Sequence, residues 1–322
     1  MQVPVWVWIA TLVGITAILG ADLLVGRRGP AEVTTKAAAR GIGVYVGVAV
    51  LFGLGIWVFG GHQPATEYFA GYLLEYSLSV DNLFVYLLLM TSFAVPPALR
   101  PNVLLVGIVG TLVLRGPFIF LGAEAAQRFS ATFYVFGALL IYTAVQLVRN
   151  NEDEEVEASQ HIAVRIASKV MPTTDEYDGA RLTTTVEGKR HATPLLLVMV
   201  AVSITGLVFA LDSIPAIFGV TKDTYVIVTA NAFALMGLRQ LYFLIGGLLE
   251  RLVHLDKGLA LILGFIGVKL VFEAMHEEGV DWAPVLGVAV SLGVIVGVLA
   301  ITVAASLISE RRNGTAPIRV SD

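Results

Sequence analysis

Long apolar segments decide what this chain can fold into. A helix needs about 20 mostly apolar residues to cross the hydrocarbon core of a bilayer. Nine segments meet that requirement, and we predict their boundaries at 4–25, 41–60, 66–91, 103–123, 130–148, 194–219, 225–249, 258–276 and 283–308. The predicted fold class is therefore all-α, a polytopic membrane protein with about nine transmembrane helices.

Composition supports a membrane environment and excludes several classes of function. Of the 322 residues, 57% are hydrophobic and 14% are charged, whereas about a quarter of the residues of a soluble domain are charged. The chain has no cluster of Lys and Arg suited to nucleic acid, and no Gly-Lys-Ser/Thr motif for ATP phosphates. It contains no cysteine, which excludes disulfides, thiolate nucleophiles and thiolate metal sites.

Charge placement predicts the orientation in the membrane, because cytoplasmic loops are enriched in Lys and Arg. With the N-terminus outside and the C-terminus cytoplasmic, 16 of the 21 Lys and Arg residues fall in cytoplasmic segments. Only Arg128 and Lys222 fall outside. No Lys or Arg precedes the first apolar segment, so we interpret it as a retained helix rather than a cleaved signal peptide.

The same reasoning divides the chain into four regions. Residues 1–148 hold helices 1–5, residues 149–193 form a cytoplasmic polar loop, residues 194–308 hold helices 6–9, and residues 309–322 form a cytoplasmic tail. The loop starts with an acidic run and has few large apolar residues, so we expect a solvated linker.

Ionisable residues inside the apolar segments are the strongest functional signal. Each costs about 2.5–3.5 kcal/mol in hydrocarbon on insertion scales, and such groups usually face a cavity or one another. The segments contain Glu75, Asp81, Arg115, Asp212, Arg239, Lys269 and Glu273. For the three cations we favour a structural role in which they pair with neighbouring acids. For the two aspartates we favour a functional role, because of the residues around them.

The segment around Asp81 carries an oxygen-rich stripe. At about 100° per residue, Ser77 and Asp81 share one face of a helix, while Glu75, Ser79 and Asn82 share the adjacent face. The result is a wide polar surface inside the membrane.

The segment around Asp212 combines a carboxylate with a helix-breaking residue. Asp212 and Ser213 precede Pro215, which cannot donate a hydrogen bond to the carbonyl of Leu211. We expect the helix to be interrupted there, with Gly206 loosening it further, as in transporters whose unwound carbonyls bind ions at the membrane midplane.

The ligands available at these two segments are hard oxygens, which suit Mn²⁺, Ca²⁺ or Mg²⁺. We predict a cation site made of Glu75, Asp81, Asn82, Asp212 and Ser213. The predicted supporting polar residues are Ser77, Ser79, Arg115, Arg239, Lys269 and Glu273. The five histidines fall in predicted loops or at a helix end, which disfavours zinc or copper. We expect no permanently bound cofactor, and we expect partners to be the transported cation and the lipid bilayer.

The two acidic motifs occupy matching places in the chain. Each is followed one helix later by an arginine, Arg115 in the first case and Arg239 in the second. One helix later again, aligning Gly137 with Gly264 places Gln146 against Glu273. Helices 3–5 and 6–8 therefore form a predicted inverted repeat, the arrangement of many secondary transporters.

Three motifs resemble the signature segments of the TerC family of integral membrane proteins, named for tellurium resistance. They run from Glu75 to Phe84 (EYSLSVDNLF), from Phe209 to Phe218 (FALDSIPAIF) and from Asn231 to Phe243 (NAFALMGLRQLYF). The resemblance implies a bacterial inner-membrane protein related to the lysine-exporter superfamily. It also implies export of manganese, with Glu75, Asp81, Asn82 and Asp212 at the family's acidic and amide positions.

These observations predict a secondary transporter that exports Mn²⁺ by proton antiport, and three alternatives stay open. An intramembrane aspartyl protease also uses two aspartates, but Asp212 lacks the Gly-x-Gly-Asp context, so we expect no enzymatic activity. A non-transporting scaffold in a stress-response or membrane-insertion complex would need no acidic stripe. An exporter of amino acids or organic cations would use the buried arginines to meet a substrate carboxylate.

Overall fold

The computed structural model describes residues 3–26, 35–129, 131–149, 152–186, 188–245, 254–280 and 282–313. This part of the chain is built from eleven helices and one antiparallel hairpin. The helices are α1 (Val5–Gly26), α2 (Thr35–Gly60), α3 (His62–Ser92), α4 (Arg100–Arg128), α5 (Ala131–Arg149), α6 (Glu152–Val170), α7 (Pro194–Phe218), α8 (Thr224–Leu235), α9 (Leu238–Ile245), α10 (Leu255–Glu277) and α11 (Val288–Asn313). The hairpin pairs β1 (Thr183–Val186) with β2 (Lys189–Ala192).

Each predicted transmembrane segment contains an apolar helix. Among the described residues, seven helices are long and apolar enough to cross a membrane, and two shorter apolar stretches lie at Val5–Ile18 and Thr224–Leu235. The predicted fold class, an all-α polytopic membrane protein, is confirmed.

The distribution of polarity is the reverse of that of a water-soluble protein. Large apolar side chains face outward on several helices, such as Phe59 (93% exposed) and Ile301 (70% exposed). Polar and charged side chains such as Glu75, Arg115 and Asn231 are instead buried between helices. Lipid can cover the first group, whereas the second group needs partners inside the protein. The protein is therefore an integral multi-pass membrane protein.

Helix packing follows the pairing that an inverted repeat produces. α3 packs on α8 and α7 packs on α4, so the first helix of each predicted repeat contacts the second helix of the other. The third helices, α5 and α10, pack on each other. Two glycines allow this close packing. A Cβ atom on Gly137 would lie 2.8 Å from the carbonyl oxygen of Gly267, and one on Gly267 would lie 2.9 Å from that of Gly137.

The interrupted helix is not the one that the sequence predicts. α7 runs unbroken through Pro215, which lies near its end and removes one hydrogen bond from a turn whose Ile214 and Ile217 side chains are buried. The break lies instead at Met236–Gly237, where α8 ends and α9 begins. Gly237 has φ +84°, a left-handed conformation that glycine adopts at no steric cost. The expectation of an unwound segment at Pro215 was wrong, and the discontinuity occurs one helix later.

The region 149–193 carries more structure than a solvated linker. α6 packs on α3 and α7, with Ala163 fully buried and Ser159 Oγ 3.0 Å from Thr205 Oγ1. Small side chains at spacing i, i+4 give α6 a face flat enough for this contact. The hydroxyl of Tyr177 also donates to the carbonyl of Phe93 at 2.8 Å. The acidic start of this region suggests solvation, but the small-residue face that follows it determines the packing.

The two ends of the bundle can be named from these contacts. The upper end is where α3 and α8 begin and where α7 and α10 end, and Thr221 Oγ1 donates to Glu67 Oε2 there at 2.5 Å. The lower end is where α3 ends and where Tyr177 meets Phe93. In the predicted topology the upper end faces outside.

Candidate functional site

A stripe of buried polar side chains runs along one face of α3. Glu75 and Ser79 are fully buried, and Asn82 is 7% exposed. Their spacing of i, i+4 and i+7 places them one above another on a helix. Tyr86 continues the stripe by one further turn and is also buried. The predicted grouping of Glu75, Ser79 and Asn82 on one face agrees with this arrangement.

The stripe contains a fully buried ion pair. Arg115 of α4 donates through Nη1 to Glu75 Oε2, and both side chains have 0% exposure. Within the described part of the chain, Glu75 Oε1 and the Nε and Nη2 atoms of Arg115 have no hydrogen-bond partner. Asn231 of α8 is also buried, and its Nδ2 atom has no hydrogen-bond partner among the described residues. Arg115 therefore pairs with an acid, as predicted.

A second contact joins α3 to α4 one turn before Arg115 on α4. The hydroxyls of Tyr86 and Thr111 are 3.0 Å apart and hydrogen-bond to each other. The backbone of α7 approaches this pair at Gly206, where a Cβ atom would lie 2.8 Å from Thr111 Oγ1 and 3.0 Å from Tyr86 Oη. Any side chain at Gly206 would therefore displace the pair.

A small chamber lies between these two contacts and the break in α8–α9. Its volume is about 10 Å³, and the residues that line it are Ser79, Asn82, Leu83, Tyr86, Ile108, Thr111, Leu235 and Leu238. Leu235 is the last residue of α8 and Leu238 is the first of α9. Three hydroxyl groups and one carboxamide thus line the chamber beside the break between α8 and α9.

The remaining predicted ligands are distributed differently. Asp81 is half-buried on the neighbouring face of α3. The hydroxyl of Ser77 donates to the carbonyl of Leu73 at 2.7 Å, and buried Ser213 of α7 donates to the carbonyl of Ala210 at 3.4 Å. The backbones of Asp212 and Arg239 lie in α7 and α9, but their side chains lie outside the described residues. The structure therefore tests neither the predicted approach of Asp81 to Asp212 nor a partner for Arg239.

Lys269 and Glu273 belong to a separate cavity at the upper end. This upper cavity has a volume of about 700 Å³ and is bordered by the start of α3, the end of α7, the α7–α8 turn, the last part of α10 and the segment that leads into α11. The Nζ atom of Lys269 donates to the carbonyl of Gly219 at 2.6 Å. Glu273 is 24% exposed and bonds to Lys222 at 2.8 Å. Both residues were predicted as supporting polar residues; Lys269 is buried and Glu273 is partly exposed at this cavity.

Lys222 joins the α7–α8 turn to α10. Its ammonium lies 2.8 Å from Glu273 and 2.7 Å from Glu277, and 4.3 Å from the ring centre of Phe133. Burial disfavours the charged amine, but the hydrogen bonds from Lys222 to Glu273 and Glu277 outweigh that effect and raise the pKa of Lys222 above its ordinary value.

Several residues of the site were missed by sequence reasoning. Tyr86 was detectable, because it extends the Glu75–Ser79–Asn82 spacing by one turn. Thr111 is a small polar residue in an apolar segment and gives no signal of its own. Asn231 opens one of the three signature motifs, but its sequence context does not indicate that it is buried. Gly237 looks like any glycine within a helical pattern, so the position of the break could not be read from it.

Comparison with known proteins identifies the family. Residues 60–314 match the model of the integral membrane protein TerC family. The chain belongs to the TerC family. The matched region begins just before α3 and ends just after α11, so it contains both halves of the predicted repeat.

Relatives with similar sequences are found in bacteria and in a plant. An uncharacterized membrane protein of Mycobacterium tuberculosis is 46% identical over 316 residues, covering 95% of this chain and 80% of the relative. The putative membrane-bound redox modulator Alx of Escherichia coli is 38% identical over 304 residues, covering 92% of both chains. The chloroplastic thylakoid membrane protein TERC of Arabidopsis thaliana is 40% identical over 266 residues, covering 82% of this chain and 69% of the relative. No solved structure matches this TerC protein.

Proposed function

We propose that this TerC protein is a secondary transporter that exports a divalent metal cation, Mn²⁺, in exchange for protons. The observation that carries the proposal is the polar stripe of α3, buried inside the membrane beside the break between α8 and α9. Burying such groups is expensive in a bilayer, and they usually line a path for ions or protons. Broken helices at the midplane are a recurring feature of ion sites in secondary transporters.

The chemistry of the stripe and of the two aspartates near it in the sequence and the fold favours a hard cation. Asp81 and Asn82 supply a carboxylate and a carboxamide, and Asp212 lies on α7, which packs on α3. Oxygen ligands of this kind suit Mn²⁺ and Mg²⁺ rather than the soft metals that thiolates bind. The carboxylate of Glu75 is engaged by Arg115. In this proposal it therefore positions α3 against α4, and the two aspartates bind the cation.

Proton exchange supplies the energy in this proposal. Export of a cation against an inside-negative potential is uphill, and the sequence contains no ATP-binding motif. A carboxylate that loses its cation inside the membrane can take up a proton, because burial and a neighbouring acid both favour the neutral form. The upper cavity then offers a wide aqueous approach to the upper end of the bundle.

The name of the Escherichia coli relative raises a second possibility, modulation of redox state. This chain contains no cysteine, so it could not act through thiol–disulfide exchange. An effect on cellular redox state would have to follow indirectly from the ions that it moves.

Metal flux in proteoliposomes tests the proposal. We expect Mn²⁺ flux in the wild type under a proton gradient and its loss in Asp81→Asn and in Asp212→Asn. Asp175→Asn is the matched control, because Asp175 is exposed in the segment between α6 and β1. Unchanged flux in Asp81→Asn or in Asp212→Asn would show that the substituted aspartate is not required for transport. Absence of flux with every divalent ion tested, under either direction of proton gradient, would favour a scaffold role.

A further inference from the structure

Two polar contacts hold the turn between α7 and α8 against α10. In the first, α10 supplies an ammonium group, and Lys269 donates to the carbonyl of Gly219 at 2.6 Å. In the second, α10 supplies carboxylates, and Lys222 of the turn bonds to Glu273 at 2.8 Å and to Glu277 at 2.7 Å. The turn is therefore docked on α10 by one cation from each side.

The two cations differ in how well they are satisfied. The side chain of Lys222 is 46% exposed, whereas Lys269 is buried. The bond to Gly219 is the one hydrogen bond that the Lys269 ammonium makes within the described residues, and it forms no ion pair with them. An ammonium group has three donors, and a buried charge without a counter-charge is destabilising. Lys269 therefore depends on the turn unless an acid can approach it.

Glu273 is an acid that can approach Lys269. It follows Lys269 by four residues on α10, and side chains at this spacing lie on the same face of a helix, close enough to pair. Both residues line the upper cavity, whose volume of about 700 Å³ leaves room for a change of rotamer. In this structure Glu273 is bonded to Lys222 instead. One carboxylate thus has two available cations, one on its own helix and one on the turn.

The alternative pair would release both contacts of the turn in one step. If Glu273 bonded to Lys269, the turn would lose the bond from Lys222 to Glu273 and the bond from Lys269 to Gly219. The two charges of α10 would then compensate each other, and the half-exposed Lys222 would be solvated. Separation of the turn from α10 would leave no buried charge unpaired, which removes the main electrostatic penalty for such a movement.

We propose that Glu273 exchanges between Lys222 and Lys269, and that this exchange releases the α7–α8 turn from α10 and opens the upper cavity. The turn joins the helix that carries Asp212 to the helix that ends at the break, so its release would affect the upper ends of both. The exchange itself requires no transported ion, whereas its use in opening the bundle for export rests on the proposed function.

Thiol labelling of Val220→Cys tests the exchange, because Val220 lies in the turn and is 3% exposed when the turn is docked. The labelling rate reports the population of the opened state when opening and closing are fast. Glu277→Gln should accelerate labelling by up to about fivefold, since it removes a partner of Lys222 that lies two helical turns from Lys269. Glu273→Gln should label no faster than the parent and up to about fivefold slower, because the opened state would leave Lys269 without an acid.

Glu277→Gln is the matched control for Glu273→Gln. Both acids bond to Lys222 from the same helix at nearly the same distance, and both substitutions replace a carboxylate by its isosteric amide. If these bonds only fasten the turn, both substitutions should accelerate labelling alike. Equal acceleration in the two variants would therefore overturn the proposal.

Removal of the second cation provides an independent check. In a Lys269→Met background Glu273 has no cation on its own helix, so Glu273→Gln should now accelerate labelling as Glu277→Gln does. Slower labelling by Glu273→Gln in that background as well would contradict the exchange.

Glu67 of α3 is the other acid on this side of the cavity, and it accepts from Gln63 and from Thr221 of the turn. Glu67→Gln should accelerate labelling, because it removes the bond to Thr221. Slower labelling in Glu67→Gln, with acceleration in Glu273→Gln, would assign the exchange to the wrong acid and overturn the proposal for Glu273.

The labelling experiment requires neither Mn²⁺ nor a proton gradient, so it is independent of the proposed function. Opposite effects of Glu273→Gln and Glu277→Gln in a protein without Mn²⁺ flux would support the exchange and count against export. Flux that Asp81→Asn abolishes, with equal acceleration in the two glutamate variants, would support export and overturn the exchange.

Discussion

At the scale of single residues, the contact between Glu75 and Arg115 is the most consequential one in the described structure. Both side chains are fully buried, so removing either leaves an uncompensated charge away from water. We expect Arg115→Ala to lower the free energy of unfolding by about 3–5 kcal/mol. The measurement is denaturant or thermal unfolding in detergent. The double variant Glu75→Gln with Arg115→Met should recover much of that loss, because no charge is left unpaired.

The exposed pair Arg128–Glu124 provides the comparison. Its side chains are 70% and 56% exposed, and such pairs contribute about 0.2–1 kcal/mol. Arg128→Ala should therefore change the stability only slightly. A similar loss in Arg115→Ala and Arg128→Ala would mean that the buried pair is not a stabilising element.

Residue types could be predicted from the sequence better than residue partners. Glu75, Ser79 and Asn82 follow from helical spacing alone, because that spacing is a local property. The partner of Arg115 lies forty positions away, and the partner of Lys269 is a backbone carbonyl at Gly219. Neither contact leaves a local pattern, so both depended on the packing of distant helices.

At the scale of helices, the backbones of α5 and α10 approach each other closely at Gly137 and Gly267. A methyl group on Gly267 would lie 2.9 Å from both the Gly137 carbonyl and Ile141, closer than atoms in a well-packed interior approach. We expect Gly267→Ala to destabilise the protein by about 1–3 kcal/mol through overpacking. Gly264→Ala, on the same helix, is the control, because its methyl group would meet only Ala144 at 3.8 Å. Equal stability of the two variants would show that the helices separate without penalty.

The break between α8 and α9 depends on Gly237. Its φ of +84° costs a residue with a Cβ atom about 1–2 kcal/mol, and that atom would also lie 3.0 Å from the ring of Tyr45. Gly237→Ala should therefore lower the melting temperature and, if the break lines the cation path, reduce Mn²⁺ flux. Gly110→Ala, whose methyl group would have no neighbour within 4 Å, should do neither. Normal flux and stability in Gly237→Ala would show that the cation path does not depend on the break between α8 and α9.

Helix existence was predictable and helix continuity was not. Apolar length marks each spanning helix because the bilayer sets it. Among the described residues, seven of the nine predicted segments contain a helix long and apolar enough to span a membrane, and the other two contain shorter apolar helices. The continuity of a helix depends on tertiary contacts. α7 stays helical across Pro215, whereas α8 ends at Leu235, two residues before Gly237. α6 escaped prediction for a related reason, since its packing face is made of Ser159 and Ala163 rather than large apolar residues.

At the scale of the whole molecule, Lys222 joins the α7–α8 turn to α10 at the upper end of the bundle. Lys222→Ala should loosen the upper cavity, because two ion pairs of about 0.2–1 kcal/mol each are lost. Since the chain has no cysteine, Val220→Cys provides a single labelling site on the cavity wall, where Val220 is 3% exposed. We expect labelling by a polar thiol reagent to accelerate by a few-fold to about tenfold in the Lys222→Ala background.

Arg128→Ala in the same background of Val220→Cys should leave the labelling rate unchanged, since Arg128 bonds only within its own helix in the described structure. Equal rates with and without Lys222 would rule out a closing role for this residue.

The contribution of Lys222 to stability depends on pH with a definite sign. Because the pKa of Lys222 is raised on folding, its contribution is fully present below the ordinary lysine pKa of 10.5 and is lost only as the pH rises through the folded value. Labelling should thus show no step from Lys222 between neutral pH and pH 9.

The two halves of the bundle have related patterns and unlike shapes. Aligning Arg115 with Arg239 places the break at Met236–Gly237 opposite Leu112 and Val113, and α4 runs unbroken through that position. Under the proposed transport function, an inverted repeat with one broken half and one continuous half predicts a second arrangement with the roles exchanged. That arrangement would use the same kinds of contact and open toward the opposite face of the bilayer. The molecule would then have two states of similar energy. The balance between these states would depend on the positions where the two halves differ, above all on Gly237 at the break and on Val113 at the matching position of α4.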